Sequence, residues 1–261
     1  AFAYRTEAWE LAVATAVPVL TGAVSCSVQP QTTQSLVLLP LLASGRPRAA
    51  WEAHLRSYRE IRRNPKALIS LAYHLEYLAL VGRVDRGLDI LRRHLSWLAQ
   101  AESAYVLLSA LRGMSLVLRE AERAGRGEEA LGVEVPAADL WYPLPGLESS
   151  TTISRVYAEM TGWARRLAQQ FDVRNGNSTI SDHLERSLAR AAFDAAPGAV
   201  HGLGVEVDLL EPSEELPEAA QTSLTVDEDG AAPDVASLLG LVADDDGLVQ
   251  EHAPRTTSSS Q

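Results

Sequence analysis

His74-Leu75-Glu76 has the spacing of the first half of a zinc-deaminase motif, a histidine ligand followed two residues later by a glutamate that moves protons on a metal-activated water. The second half needs paired cysteines, and Cys26 is the single cysteine of the chain. The ligand set cannot be completed, and a multi-cysteine zinc site and an intrachain disulfide are excluded with it. Gly202-Leu203-Gly204 opens like a dinucleotide loop, but Val207 stands where the third glycine belongs and no apolar strand precedes it. Asp227-Glu228-Asp229-Gly230 and Asp244-Asp245-Asp246 attract calcium only loosely, because neither completes a twelve-residue loop with a closing glutamate. His54, His94 and His183 fall on helical pattern, where a packing role is the ordinary one. There is no Gly-x-Ser-x-Gly elbow and no phosphate-binding loop. The expectation is a chain with no catalytic residues, no metal site and no cofactor.

The elements that carry these residues are punctuated by a recurring Gly-Arg pair, at Gly45-Arg46, Gly82-Arg83 and Gly125-Arg126. Five residues after each glycine comes a small residue: Ala50, Gly87 and Ala130. A glycine ends a helix in the left-handed conformation without a Cβ penalty, and a small residue in the next helix lets the two helices approach closely. The pattern predicts stacked helical hairpins. One pair runs from Thr32 or Thr33 to Ser44 and from Pro47 to Arg62, with Pro40 expected to kink its first helix. A second runs over 67–81 and 85–99, with Leu71, Leu75, Leu78 and Leu88, Leu91, Leu95, Leu98 as apolar stripes. A third long helix covers 103–124. Residues 3–20 read as one helix, the second of a hairpin whose first member lies upstream of the given residues. Helix resumes near Ile153, stops at Asn175-Gly176, and a last helix covers 181–195, with Thr179 or Ser181 as its cap.

Composition sets further bounds. Residues 1–200 carry 22 Lys and Arg against 20 Asp and Glu, whereas 201–261 carry 1 against 14. A near-neutral body lacks the basic face that nucleic-acid binding needs. Lys66 is the only lysine among 23 basic residues, which fits GC-rich bacterial coding. The apolar stretch 11–24 contains Pro18 and is too short to span a membrane, and no positive flank marks it as a signal peptide. A cytoplasmic location is expected.

With turn glycines, small residues and helix lengths aligned in this way, residues 1–130 resemble tetratricopeptide-repeat (TPR) proteins, in particular the degenerate arrays of high-GC Gram-positive bacteria; the segment Trp163 to Asn177 resembles their tail. The turn spacings of 37 and 43 residues depart from the usual repeat of about 34. The resemblance implies an all-α fold, a TPR-like α-solenoid of right-handed stacked helical hairpins over 1–130. A Pro-containing linker or covering loop follows at 131–150, then C-terminal helices packing on the array at 151–196, and a largely disordered acidic tail at 197–261. The tail holds two apolar islands, Leu209-Leu210 and 235–242.

In that family the first helix of each hairpin lines a concave groove. Carried over by offset from each turn glycine, the resemblance places Thr32, Ser35, Leu39, Ala72, Glu76, Arg112, Ser115, Arg119 and Arg123 in the groove. Arg112, Arg119 and Arg123 would then form a row on one helical face, and a planar guanidinium suits carboxylates. The implied partner is a protein or an acidic peptide. The chain's own acidic tail is a second candidate occupant; a solvated helix surface and a solubilising tail are the alternatives. The implied function is a protein-protein interaction scaffold without catalysis. The alternative is a ligand-sensing or regulatory helical-repeat domain of a larger bacterial transcriptional or signalling protein.

Overall fold

The computed structural model describes residues 2–23, 29–138 and 142–193. Cys26, Trp141, the glycine and aspartate motifs beyond residue 200 and the acidic tail with its apolar islands lie outside the described residues. Ten α-helices follow one another among those described: α1 (Phe2–Arg5), α2 (Trp9–Leu20), α3 (Gln31–Leu36), α4 (Leu38–Ala43), α5 (Pro47–Ile61), α6 (Leu68–Leu80), α7 (Val84–His94), α8 (Ala104–Ala121), α9 (Ile153–Asn175) and α10 (Thr179–Ala189). Short 3₁₀ turns precede α6 and follow α7, and a π turn extends α8 over Glu122–Arg126. Three isolated antiparallel bridges join pairs of described residues. The described chain is all-α.

The glycine turns adopt the conformation their chemistry favours. Gly45, Gly82 and Gly125 have φ of 73°, 73° and 82°. At the first two, the same pair of bonds closes the helix: Arg46 N–H donates to Leu41 C=O (2.8 Å) and Gly45 N–H to Leu42 C=O (3.1 Å), while Arg83 N–H donates to Leu78 C=O (2.9 Å) and Gly82 N–H to Ala79 C=O (3.3 Å). This is the Schellman arrangement, which satisfies carbonyls that a helix end leaves orphaned. The small residues at the next position do their expected work twice. Ala50 is fully buried, and Gly87 lies where a Cβ would come within 3.0 Å of Val117 Cγ1.

The third repeat of the pattern departs from expectation. Ala130 is exposed and pairs with Thr152 in a bridge instead of entering a helix. After Gly125 the chain is pulled toward the start of α9, where Ser154 N–H donates to Gly127 C=O (3.0 Å) and Ile153 N–H to Glu129 C=O (2.9 Å). The following segment forms two further bridges, Val135 with Leu147 and Ala138 with Leu144. It buries Leu131, Val135, Tyr142 and Leu144, and Tyr142 OH donates to Trp163 C=O (3.3 Å) in α9.

Two helix expectations need correction. Residues 3–20 are not one helix, because Glu7 takes a φ of 59° and a turn separates α1 from α2. The turn folds α1 back so that Ala3 and Tyr4 are buried, a long-range gain that overrides local helical pattern. The last helix runs over 179–189 and not 181–195. Its N-terminus is capped from outside by Asp172, whose carboxylate accepts from Ile180 N–H and Ser181 N–H, both at 2.9 Å. Neither Thr179 nor Ser181 supplies the cap. Pro40 acts as expected: it cannot donate to Leu36, and the helix breaks into α3 and α4 at Val37.

Helix α6 is the centre of the molecule, packed against α3, α4, α5, α7 and α8, with almost every side chain buried. Its closest neighbour is α8. There Gly113 faces Ala72 with so little room that a Cβ would sit 2.5 Å from the Ala72 carbonyl oxygen. Helix α9 covers α8, and α10 packs on both α8 and α9. No described helix is long and apolar enough to cross a membrane.

Two of the interior helix glycines, Gly113 and Gly162, should therefore respond oppositely to alanine. Gly113→Ala gains about 1 kcal/mol of helix propensity but drives a methyl into α6 backbone, and is expected to lose roughly 1–3 kcal/mol net. At Gly162 a Cβ meets only the tip of the Arg166 side chain at 3.4 Å, so Gly162→Ala should gain about 0.5–1 kcal/mol. Urea midpoints of the two variants beside the parent check both signs.

Candidate functional site

The centre of the candidate site is the carboxylate of Glu76, placed by α6 and fully buried. Groups from widely separated parts of the chain meet around it. Tyr4 OH of α1 donates to Oε2 at 2.5 Å. Arg112 Nη2 of α8 donates to the same oxygen at 3.0 Å. Arg190, just past α10, donates from Nη1 to Oε1 at 3.0 Å and from Nη2 to Glu7 Oε1 at 2.8 Å. Arg190 also lies over the Trp9 ring, 5.4 Å from its centroid. Arg112 Nη1 lies 2.8 Å from His183 Nε2 in α10. Arg112 must be the donor, so His183 is a neutral ring whose proton sits on Nδ1.

The electrostatics follow from this enclosure. Burial works against the charge on Arg112, but Glu76 beside it holds the guanidinium protonated. Burial raises the Tyr4 hydroxyl well above its ordinary range, and the Glu76 charge adds to the effect. Burial and then the Arg112 charge push His183 down to about 4. The arrangement has the chemistry of a receptor for one guanidinium, with two carboxylates and an aromatic face around Arg190.

Of the nine groove positions, Ser35, Leu39, Ala72, Glu76, Arg112, Ser115 and Arg119 are buried, Thr32 is half-buried, and Arg123 is exposed. Glu76 and Arg112 come together directly, and Ser115 and Arg119 continue the Arg112 stripe along α8. Ser35 belongs to a different cluster. The arginine row is not an open cationic strip. Arg112 is paired with Glu76, Arg119 donates to Leu188 C=O and to Glu120, and Arg123 Nη1 donates to Glu120 at 3.0 Å. The chain's own α9 and α10 lie over the face of α8 that carries the first two.

A second polar cluster sits between α3, α5 and α6. His74 Nε2 is 2.9 Å from Ser57 Oγ and 3.3 Å from Ser35 Oγ, while His74 Nδ1 is 2.9 Å from His54 Nδ1. Only one proton fits between the two Nδ1 atoms, so both rings cannot be charged together. Burial, with Arg86 second, takes His54 down to about 3, and burial with His54 second takes His74 well below its usual range. Ser57 and His74 hold the atoms of a nucleophile and a base, but both have 0% exposure and the base faces an imidazole where an orienting carboxylate would be needed. Among the described residues no group of three or more His, Cys, Asp or Glu is placed to hold a metal ion.

Sequence reasoning named Glu76 and Arg112 as groove positions and His183 as a packing residue, and gave no role to Tyr4, Glu7 or Arg190. Tyr4, His183 and Arg190 lie 72, 71 and 114 residues from their partners along the chain, and no local spacing signals such contacts. No family model matches the chain, and neither a curated protein nor a solved structure matches it.

Two outcomes follow. Glu76→Ala leaves Arg112 and Arg190 without their shared acid and should cost about 3–5 kcal/mol, with part recovered in Glu76→Ala/Arg112→Met; chemical denaturation of both measures this. The lowered histidines make the unfolded chain the better proton acceptor below its ordinary value of 6.5. Stability is therefore full above pH 6.5 and falls as pH drops from there toward 4, by on the order of 1.4 kcal/mol per pH unit for each of His54 and His74. Urea midpoints that stay flat from about pH 7.5 to about pH 5 would contradict this linkage.

Proposed function

We propose that this chain is a protein-interaction module, a TPR-like array of helical hairpins that receives a helical or peptide segment of a partner on the face lined by the first helix of each hairpin, without catalysis. The observation that supports this reading is what the chain does with that face itself. Helix α10 and the residue after it lie across α6 and α8 through specific polar contacts, Arg112 to His183, Arg119 to Leu188 C=O and Arg190 to Glu76. An apolar core helix has no need of such contacts; a bound segment does.

The repeated Schellman turns at Gly45 and Gly82 support the hairpin part of the reading, since they set successive helices antiparallel in the same way. A face filled in cis also favours a regulated module, of the kind attached to a larger transcriptional or signalling protein, because such a face has a closed and an open state. An acidic peptide entering here would compete with Glu76 for Arg112.

Native-state hydrogen exchange tests the reading. The amides of α10 are expected to exchange through an opening that occurs at lower denaturant than the openings of α6 and α8. If α10 exchanges only with global unfolding, it is ordinary core, and the interaction face does not exist as proposed.

A further inference from the structure

We infer that the covered face of α6 and α8 recognises one kind of partner, an amphipathic helix whose C-terminal end is followed by an arginine, and that α10 with Arg190 is the tethered copy of that ligand. This rests on the interaction-module reading and names the chemistry of its partner.

The face specifies each part of such a helix. Arg119 donates to the carbonyl of Leu188 in the last turn of α10. Carbonyls in a last turn lack helical partners and carry the negative end of the helix dipole, so a guanidinium here demands a helix end, pointing in this direction. Leu184 and Leu188, one turn apart, are buried on the contact side, whereas Glu185 and Arg186 are exposed. One turn earlier than Ser187, His183 presents an acceptor to Arg112. Beyond the helix end, Arg190 divides its two terminal nitrogens between Glu76 and Glu7 and stacks on Trp9. Lysine has one nitrogen and no plane, so it cannot reproduce that geometry. The required pattern is an acceptor, apolar residues one and five positions later, and an arginine seven positions later.

The seam also shows why α10 can leave. It is 11 residues long, joined to α9 through the left-handed Gly176, and an isolated helix of that length is marginal in water. Five of the described buried polar atoms without a hydrogen-bond partner belong to the three helices that meet here: Ser115 Oγ and Arg112 Nε on α8, Thr161 Oγ1 on α9, His183 Nδ1 and Ser187 Oγ on α10; others, such as Tyr58 Oη and Tyr77 Oη, lie in the interior. Each is a desolvated group that the described chain leaves without a hydrogen bond. At the mouth, Glu7 holds a left-handed φ of 59° against Arg190, a conformation unfavourable for a side chain with a Cβ. A longer partner helix satisfying these groups overcomes the advantage that tethering confers on α10.

The test titrates a fluorescein-labelled peptide with the sequence of residues 177–193 onto the full chain and onto full-chain Asp172→Ala. Asp172 caps α10 and makes no hydrogen bond to α6 or α8, so its loss weakens α10 by the value of a cap and leaves the receptor groups intact. Asp172→Ala is expected to bind the peptide at least tenfold more tightly than the parent. Peptides carrying Arg190→Ala or Arg190→Lys, and the protein Asp172→Ala/Glu76→Gln, are each expected to lose at least tenfold. Leu188→Ala in the full chain, which weakens the apolar anchor of α10 alone, serves as a second way to open the face and should give the same ordering. Equal binding of the unsubstituted peptide and the peptide carrying Arg190→Lys overturns the guanidinium assignment. Absence of binding to both opened proteins, while α10 still exchanges ahead of α8, overturns the inference and leaves the interaction reading standing; α10 exchanging only with global unfolding removes both.

Discussion

The buried carboxylate of Glu76 is the constraint around which the rest of the molecule is arranged. A lone charge in such a place is expensive, and the cost is met only if opposite charge and hydrogen bonds surround it. The chain supplies them from α1, α8 and the end of α10 at once. That requirement ties the first few described residues to the last few, and it explains why the N-terminal helical pattern is broken at Glu7. A straight helix through residues 3–20 would carry Tyr4 away from the acid it caps.

Close approach of α6 and α8 is the second condition, because Glu76 and Arg112 meet only if the two helices nearly touch. Ala72 and Gly113 make this possible, with one side chain reduced to a methyl and the other to nothing. The same economy of size recurs where Gly87 meets Val117 between α7 and α8. Helices packed this closely bury the Ser57, His74 and His54 cluster completely, and it accordingly forms a closed polar contact. Its rings remain neutral because each proton added would have neither water nor an acid to stabilise it.

The seam under α10 has a different character from the interior. Between α6 and its neighbours most of the buried side chains are apolar, whereas α10 combines the buried Leu184 and Leu188 with discrete polar contacts to α8. Polar seams of this kind give direction and register to whatever lies in them while contributing less net stability than apolar packing of equal area.

Much of the local structure was legible in the residues themselves. The Gly-Arg turns, the break at Pro40, the helix start at Ser103 and the stop at Gly176 each follow from backbone chemistry confined to a few neighbouring residues, and so does the all-α class. Glu76 and Arg112 could be singled out only through the family resemblance, by their offset from turn glycines. What they do there could not. The meaning of Glu76 depends on Tyr4, Arg112 and Arg190, brought together from widely separated segments, and the same is true of the Asp172 cap and the His54–His74 pair. The expected third small residue, Ala130, failed for the matching reason: the chain after Gly125 is directed by bonds to the start of α9 and not by its own local pattern. Sequence alone determined the helix starts, bends and stops that φ preferences and missing donors nearby decide, as at Gly45, Gly82, Pro40 and Gly176, but not the break at Glu7 or the end of α10. Only the tertiary structure decided which charges are paired and which face is covered, because desolvation and Coulomb energy depend on distance in space and not on distance along the chain.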